Sequence, residues 1–513
     1  MEQILDLSVL HTAGDRSFLK RHEKQFVVLV TLFGALRIFI FNAAFPFFNN
    51  VDEVHHFDAV VKYARGYVPQ KQNTLYDYES ARMLTLYGSP EYFYTSSEIK
   101  NNGFSPFLWR IPQFVSSNDF NNIVSDRMQN HNIEAFSPPL YYAVMGIWYN
   151  LGKWLGITGE FLLYWIRFSN VIVFILLLIV TNKFCQLLAP ENLSLRYGVI
   201  LLLTWFPQDV FYSITNDAFS PLFSLLSILF LWKIYLSKQS SLFYSVTGLL
   251  IAASILIKLT NVVLFTTMFL ILVKKLFVYK RNNNLKEGIY HVSLCLAGAL
   301  IPVAILMIAN FILIGDPLGA SEKVKNLGWT LKPIYQWFNH PFFTFQGIPF
   351  FIVGLLKTFW RGEFVWGLQT IASNSADNVY IISTGLFFLT SVLGVIIRKK
   401  SLCSSDRYEY MVLLLSIAGS VFMLGVLSIM YDFGNSWSPS REYPYFTSGR
   451  LILAVLVPFL ILFIDGLQSL LTFIHLQKAT LWIILMLVIF ITISEISISL
   501  PAFLSQYNFF HLF

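Results

Sequence analysis

Charged residues are scarce in this chain: Asp, Glu, Lys and Arg make up 13% of its 513 residues. A soluble globular domain carries about a quarter, so a soluble enzyme with a single anchor is excluded. Hydrophobic residues account for 56% of the chain, and the mean hydropathy is +0.60. These values indicate an all-α polytopic membrane protein.

Cysteine is nearly absent. Cys185, Cys295 and Cys403 show neither the spacing of metal ligands nor a disulfide framework. No internal repeat is visible, and no cleavable signal peptide is expected because residues 1–20 are polar and the first apolar run is long enough to span. The net charge of +7 is modest and implies no nucleic-acid partner.

Eleven apolar runs are long enough to cross a bilayer. They lie at residues 26–48, 162–182, 197–214, 219–236, 242–258, 261–279, 289–314, 379–397, 410–430, 450–470 and 480–499. Basic clusters such as Lys274–Arg281 and Arg398–Lys400 follow several runs, and the positive-inside rule assigns these clusters to the cytoplasm. Lys20, Arg21 and Lys24 precede the first run, so the N-terminus should be cytoplasmic and the C-terminus external.

This topology divides the chain into four parts. They are a cytoplasmic N-terminus (1–25), a first transmembrane module (26–314) that includes an external loop (49–160), a second external loop with a juxtamembrane segment (315–378), and C-terminal transmembrane helices (379–513). If residues 138–155 crossed the membrane, the basic clusters that follow them would lie outside. A re-entrant or surface-lying segment is therefore expected. The stretch from Pro349 to Trp360 is a second candidate for a segment that dips into the membrane.

The stretch from Asn49 to Pro69 is the most informative part of the sequence. Asp52 and Glu53 directly follow the first apolar run, where an acidic pair is costly unless it is used or hydrated. Helical spacing of the next apolar residues predicts an amphipathic helix along the membrane surface. Desolvation should raise the pKa of Asp52, whereas the helix N-terminus and nearby cations should lower it. Asp52 is either a functional carboxylate or only a helix cap.

Further charged residues stand at the outer ends of the predicted spans. They are Asp217, Lys258, Arg361, Glu363, Arg441, Glu442 and Arg450. Taken singly, each is typical of an interfacial anchor. Taken together, they offer a carboxylate that accepts a proton from a hydroxyl and cations that hold a phosphate leaving group. Those are the requirements of glycosyl transfer from a lipid-phosphate sugar at the outer face.

Several short motifs resemble those of a known family. In chain order they are Val51-Asp-Glu-Val-His-His-Phe57, Ser137-Pro-Pro-Leu-Tyr-Tyr142, Thr215-Asn-Asp-Ala218, Leu256-Ile-Lys-Leu-Thr260, Phe359-Trp-Arg-Gly-Glu-Phe-Val-Trp-Gly367 and Ser448-Gly-Arg450. Their order and spacing resemble the GT-C superfamily of integral-membrane glycosyltransferases, which includes protein O-mannosyltransferases, the lipid A aminoarabinose transferase and bacterial membrane proteins with a Pro-Asp-Glu-x-x-His signature. The resemblance implies a GT-C-like fold.

The resemblance also implies roles for residues. Asp52 would be the catalytic base of an inverting displacement, Asp217 would support the site, and Lys258 and Arg450 would hold the donor phosphate. Glu53 is grouped with the catalytic acids. Five more residues are predicted to bind substrate: His56, Glu134, Tyr141, Arg361 and Arg441. Three places depart from the pattern. Val51 replaces the usual Pro, and Leu256-Ile257 replaces the usual Thr just before the Lys. Ser137 stands where relatives often carry Glu or His, which leaves Glu134 as the substitute.

The implied partners are a polyprenyl-phosphate sugar donor, a glycan, glycolipid or protein acceptor, and the lipid bilayer. A bacterial cytoplasmic membrane is favoured over the endoplasmic reticulum. His55 and His56 point to different sides of a helix, so no metal site is predicted, and a divalent metal stays an alternative. The rival functions are a polytopic lipid or sugar transporter, disfavoured by the lack of repeats, and a non-catalytic GT-C-like subunit, disfavoured by the presence of Asp52.

Overall fold

A computed structural model describes most of the chain. The described ranges are residues 13–49, 52–67, 74–101, 108, 111–397, 404–436 and 438–511. Predictions on residues 1–12, Val51, Pro69, Arg398–Lys400 and Cys403 lie outside these ranges.

Within the described ranges the chain forms twenty α-helices and four two-residue strands. The first ten helices are α1 (Ala13–Ala44), α2 (Glu53–Ala64), α3 (Tyr78–Tyr87), α4 (Ser96–Asn101), α5 (Pro112–Val115), α6 (Asn118–Met128), α7 (Leu140–Trp154), α8 (Gly159–Leu188), α9 (Leu193–Thr204) and α10 (Ser220–Leu236). The others are α11 (Ser241–Ile257), α12 (Leu264–Arg281), α13 (Leu285–Ile314), α14 (Ser321–Asn326), α15 (Ile334–Trp337), α16 (Gly347–Arg361), α17 (Asn374–Ile397), α18 (Ser404–Met430), α19 (Leu456–Phe473) and α20 (Thr480–Leu504). The strands form two antiparallel pairs, β1 (Thr330–Leu331) with β4 (Tyr431–Asp432), and β2 (Val365–Trp366) with β3 (Gln369–Thr370).

Nine helical segments of the described chain are long and apolar enough to cross a membrane. They are Arg21–Ala44, Gly159–Leu188, Asn216–Leu236, Leu259–Arg281, Leu285–Ile314, Asn374–Ile396, Arg407–Met430, Gly449–Phe473 and Gln477–His511. The fold class, an all-α polytopic membrane protein, is confirmed. The runs 197–214 and 242–258 form the shorter apolar helices α9 and α11, so the expected number of eleven spans stays a prediction.

Both short helices end where the backbone leaves the α-helical path. Beyond α9 the chain forms 3-10 helices at Asp209–Tyr212 and Asn216–Ala218, and beyond α11 it forms another at Leu259–Val263. A fourth, Gly449–Val455, precedes α19. Irregular backbone at membrane depth is tolerated only where protein or a polar cavity surrounds it. These segments, or the residues that border them, carry the charged side chains described below.

Helix α2 forms as predicted, and part of its polar face is enclosed by the protein. Asp58 and Lys62 form an ion pair of 2.7 Å inside the protein, and the Asp58 carboxylate also accepts the Asp77 backbone N–H at 2.8 Å, whereas Arg65 is half exposed. Helix α7 packs against α2 so closely that a Cβ at Gly146 would lie 2.8 Å from the Ala64 nitrogen. These contacts enclose the face of α2 that carries Asp58, and a position of the helix along the membrane surface stays a prediction.

The two long loops and the end of α20 meet at one end of the bundle. The Glu91 and Tyr92 carbonyls accept N–H groups of Gly367 and Leu368 at 2.8 and 3.0 Å. The Ser505 hydroxyl donates to the Glu91 carboxylate. Residues 138–155 form α7, which is not among the helices of spanning length. That this end of the bundle is external stays a prediction of the basic-cluster pattern.

Candidate functional site

Seven charged side chains lie together and interact electrostatically, and we call them the charged cluster. Its members are Asp52, Glu134, Asp217, Lys258, Lys323, Glu363 and Arg450. Arg450 lies at its centre: Nη2 is 2.6 Å from Asp52 Oδ2, Nη1 is 3.4 Å from Asp217 Oδ2, and Nε is 3.4 Å from Glu363 Oε2. Lys258 also pairs with Asp217, and Lys323 pairs with Glu134. Three cations and four acids from distant parts of the sequence are thus brought together.

The exposure of these side chains shows where the charged cluster opens. Asp217 is 2% exposed, Lys258 10% and Arg450 16%, whereas Asp52 reaches 28% and Lys323 36%. The cluster is therefore closed at Asp217 and open at Asp52 and Lys323. A ligand entering it would meet the Asp52 carboxylate first and the Arg450 guanidinium behind it.

The backbone of Asp52 adopts an unusual conformation. Its φ of 60° and ψ of 20° lie in the left-handed region, which Asp tolerates better than most residues but which still costs free energy. Asp52 occupies the N-cap position of α2, yet its side chain makes no capping hydrogen bond and instead accepts from Arg450 at 2.6 Å. The alternative that Asp52 is only a helix cap is therefore wrong.

The cations determine the protonation of the cluster's acids. Burial alone would raise the pKa of Asp52, but Arg450 first and Lys323 next hold it below its usual range. Burial is likewise outweighed at Glu134, where Lys323 and His56 lower the pKa. Both carboxyl groups are therefore ionised at neutral pH. Of the two opposing effects expected at Asp52, the cations prevail.

Two motifs predicted from the sequence bring Asp217 and Lys258 together. The Asn216 side chain donates to the carbonyl of Ile257, the last residue of α11, at 3.2 Å. The helix ends there, and Lys258 follows in an extended conformation. The Thr215 hydroxyl donates to Asp217 Oδ2 at 3.2 Å. The acid and its cation are therefore fixed from both sides.

A glycine positions Arg450. The Gly449 N–H donates to the Thr358 hydroxyl near the end of α16 at 2.9 Å, and a Cβ at Gly449 would collide with the backbone of Phe359. Only glycine allows the chain before Arg450 to lie this close to α16.

Glu53 does not face the charged cluster. It is completely buried against Arg167, whose Nη2 is 2.6 and 2.7 Å from the two carboxylate oxygens. The Glu53 carboxylate also accepts the backbone N–H groups of Phe48, Asn49 and Ile214 at 2.7 to 3.2 Å. These contacts fix the turn that presents Asp52, and they leave Glu53 enclosed, which contradicts its grouping with residues that contact the reacting groups.

The other predicted substrate-binding residues lie around the charged cluster or away from it. His56 is buried, and its Nδ1 shares a hydrogen bond of 2.8 Å with the Tyr142 hydroxyl. Burial lowers the pKa of His56 to about 4, so its imidazole is neutral at pH 7. Tyr141 is buried against Phe219, with ring centres 5.0 Å apart. His56 on α2 and Tyr141 on α7 therefore contribute to packing around α2 and do not line the opening of the charged cluster.

Two arginines that are predicted to bind substrate form ion pairs outside the charged cluster. Arg361 Nε lies 2.9 Å from Asp377 Oδ1. Arg441 Nε lies 2.8 Å from Asp432 Oδ1 in an exposed loop, where its side chain is 66% exposed. Neither forms an ion pair with the charged cluster within the described residues, so the predicted contact of Arg441 with substrate is not supported by its position.

Lys323 and Asp209 were missed by sequence reasoning. Lys323 lies in α14, whose mixed charge is typical of any surface helix, so no local signal marks it. Asp209 follows an apolar run interrupted by Pro207, which is a usable signal. Its Oδ2 accepts the Glu363 N–H at 3.1 Å, and its buried Oδ1 has no hydrogen-bond partner. Burial, aided by Glu363, raises the pKa of Asp209 to about 7.

The chemistry of the charged cluster is that of an anion site beside an ionised carboxylate. Among the described residues no group of three or more His, Cys, Asp and Glu is placed to hold a metal ion. His55 and His56 turn to different partners, Tyr76 and Tyr142. The absence of a metal site stays a prediction, with a divalent metal as the alternative.

Three comparisons with known proteins bear on identity. No curated protein matches the chain. The chain is similar to the crystal structure of the Archaeoglobus fulgidus oligosaccharyltransferase complex with Zn and sulfate, with 10% identity and a TM-score of 0.36 over 71% of this chain and 44% of that chain. The chain thus spans less than half of that protein's length, and so low a TM-score leaves the GT-C likeness a prediction from the sequence. Residues 32–469 match the family model described as "Predicted membrane protein (DUF2142)". Because this match covers most of the sequence, the chain belongs to the DUF2142 family of predicted membrane proteins.

Proposed function

We propose that this protein is a membrane glycosyltransferase that moves a sugar from a polyprenyl-phosphate donor to an acceptor hydroxyl, with Asp52 as the general base. One observation carries the proposal: an ionised carboxylate stands at the opening of a site that contains three cations. Fixed cations stabilise a phosphate leaving group, and a carboxylate within reach of a hydroxyl accepts its proton. The GT-C-like sequence motifs at Asp52, Asp217, Lys258 and Arg450 support the same assignment.

The reaction is a single displacement. The acceptor O–H gives its proton to the Asp52 carboxylate, and the oxygen forms a bond to the anomeric carbon. The bond between that carbon and the phosphate oxygen breaks, and its electron pair leaves with polyprenyl phosphate. Attack opposite the leaving group inverts the anomeric configuration. Arg450 and Lys258 bind the phosphate and stabilise the charge that develops on it.

Arg450 couples donor binding to the strength of the base. In the structure its guanidinium binds Asp52 at 2.6 Å and holds the pKa of that carboxyl below its usual range. A donor phosphate competes for the same N–H groups. When Arg450 turns to the phosphate, Asp52 loses its nearest positive charge, its pKa rises, and it becomes a better proton acceptor. The base is then activated only when the donor is in place.

The two long loops form the acceptor side of this site. The ion pair of Lys323 with Glu134 joins loop 315–378 to loop 49–160 beside Asp52. An acceptor glycan, glycolipid or protein would approach through the opening between Asp52 and Lys323. We place this face outside the membrane, with the bacterial cytoplasmic membrane favoured over the endoplasmic reticulum, on the strength of the basic-cluster pattern.

The test is sugar transfer in proteoliposomes, using a panel of radiolabelled polyprenyl-phosphate hexoses and pentoses. Asp52→Asn keeps the shape of the side chain but cannot take the proton, so the rate should fall by roughly 10²-fold or more, the usual scale for loss of a general base. Donor binding should persist. The matched control is Asp432→Asn. Asp432 lies at the same end of the bundle but pairs with Arg441, so this variant should transfer sugar at the wild-type rate.

Three results would contradict the proposal in different ways. Wild-type transfer by purified Asp52→Asn would remove the base assignment. Movement of labelled lipid across the membrane without transfer would identify a transporter. Binding of the donor with neither transfer nor transport would identify a non-catalytic subunit.

A further inference from the structure

A cavity lined in part by polar groups lies at the opposite end of the bundle from the charged cluster. Helices α10 and α12 both begin near the cluster, at Ser220 and Leu264, and end at Leu236 and Arg281 after 17 and 18 residues. At a rise of 1.5 Å per residue these helices are about 26 Å long, close to the thickness of the hydrocarbon core. The cavity at their far ends therefore faces the other side of the membrane.

This cavity has a volume of about 530 Å³, within the range of small-molecule sites. It is lined by Tyr235, Leu236, Ser237, Lys238, Lys274, Lys275, Val278, Tyr279, Asn282 and Asn284. The lining contains three lysines, several hydroxyl and amide groups, and no acid. Such a lining is suited to an anion.

Two of the lysines lack a carboxylate partner among the described residues. Lys275 is 6% exposed, and its Nζ donates to the Ser237 carbonyl at 2.8 Å. Lys274 Nζ lies 5.1 Å from the centre of the Tyr408 ring. The third, Lys238, pairs with Glu287 at 2.7 Å. Each ammonium has three N–H groups, so Lys275 retains donors that one carbonyl does not satisfy.

A snorkelling role does not account for Lys275. A snorkelling lysine extends its ammonium into water, whereas Lys275 is enclosed. A buried ammonium without a counter-ion is costly. An anion in the cavity removes that cost and would bind Lys274 and Lys275 together.

The edge of the cavity is apolar. Leu236 and Val278 line it and are 47% and 43% exposed. A free phosphate would gain nothing from these side chains, but an acyl chain beside a bound headgroup would cover them. We propose that the cavity binds the phosphate headgroup of an anionic lipid, with Lys274 and Lys275 on the phosphate and the acyl chains across Leu236 and Val278. Basic pockets between helix ends are a recognised form of lipid recognition.

The test measures lipid binding to the full-length protein in detergent by native mass spectrometry, with phosphatidylglycerol and phosphatidylcholine as probes. Wild type should retain phosphatidylglycerol preferentially. The double variant Lys274→Gln/Lys275→Gln should bind it at least about tenfold more weakly, a loss of about 1.4 kcal/mol. The matched control, Lys280→Gln/Arg281→Gln, removes the same charge from exposed positions of the same helix and should bind like wild type. Lys275→Arg, which keeps the charge, should retain most of the binding.

Several outcomes would overturn the proposal. Equal binding of phosphatidylcholine would exclude recognition of anionic headgroups. Equal losses of phosphatidylglycerol binding in both double variants would mean that the binding depends only on general surface charge. Competition by millimolar inorganic phosphate or glycerol 3-phosphate would assign the cavity to a soluble ligand. If the double variant does not accumulate, the single variant Lys274→Gln, at an exposed position, must still weaken phosphatidylglycerol binding.

Discussion

Asp52 and Glu53 are neighbours in the sequence, and each pairs with an arginine from a distant part of the chain. The pair of Glu53 with Arg167 is completely buried, with both carboxylate oxygens bound and three backbone N–H groups donating to them. The pair of Asp52 with Arg450 is partly exposed, and Arg450 divides its N–H groups among three acids. The first pair is saturated and the second can be rearranged.

This difference separates structure from chemistry. A ligand cannot reach Glu53 without unfolding the turn at Phe48, whereas a phosphate can compete with Asp52 for Arg450 at the opening. Every oxygen of Glu53 is already bound, whereas Asp52 can exchange its partner. The two adjacent acids therefore have different roles. The number of unsatisfied contacts around a carboxylate is a better guide to its role than its place in a motif.

The largest expected effect distinguishes the two arginines. Arg167→Met leaves Glu53 charged, buried and unpaired, which should cost about 3–5 kcal/mol of folding free energy. Arg450→Met leaves Asp52 and Glu363, which reach solvent, and Asp217, which keeps its pair with Lys258, so its thermal midpoint in detergent should fall far less while transfer slows. Thermal unfolding of both purified variants measures the contrast. Equal destabilisation by the two substitutions would mean that Arg450 is as structural as Arg167.

A second expected effect concerns pH. Asp52 acts as a base in its ionised form, and Arg450 and Lys323 hold its pKa below the usual range against the effect of burial. The acid limb of kcat/KM, which reports the free enzyme, should therefore lie below pH 4 in wild type. Arg450→Gln removes the positive charge nearest to Asp52, so the pKa of Asp52 should rise. The acid limb should therefore move to a higher pH than in wild type. Arg441→Gln, whose arginine pairs with Asp432, should leave the limb unmoved. An unmoved limb in Arg450→Gln would show that Asp52 is not the titrating group.

The sequence predicted the fold class and the four residues that its motifs marked most clearly. Asp52, Asp217, Lys258 and Arg450 do meet, because three helices end or begin at breaks beside them. The sequence could not predict Lys323, whose partner Glu134 is 189 positions away, since nothing local fixes the loop that carries it.

The sequence does carry a signal for the buried pairing of Glu53. Arg167 lies within the apolar run 162–182, and a lone charge inside a spanning helix requires a buried partner. An acid just beyond the first span was a candidate for that partner. Hydropathy also continues through residues 205–214, although α9 already ends at Thr204 and Pro207 follows it.

The smallest expected effect tests Asp209, which lies behind Glu363. Burial, and next Glu363, raise the pKa of Asp209 to about 7, whereas an unfolded Asp titrates near 3.9. The folded protein thus binds more protons between about pH 4 and 7, and stability should fall as pH rises through that window and then level off. Asp209→Asn resembles the protonated acid and still accepts the Glu363 N–H, so its stability relative to wild type should rise between pH 5 and pH 8, because wild type loses stability up to about pH 7. The control Asp377→Asn weakens a buried pair with Arg361 and should destabilise at both pH values. Thermal midpoints for Asp209→Asn that run parallel to wild type from pH 5 to pH 8 would mean that Asp209 is ionised throughout and that its unpartnered oxygen is stabilised by a neighbouring cation.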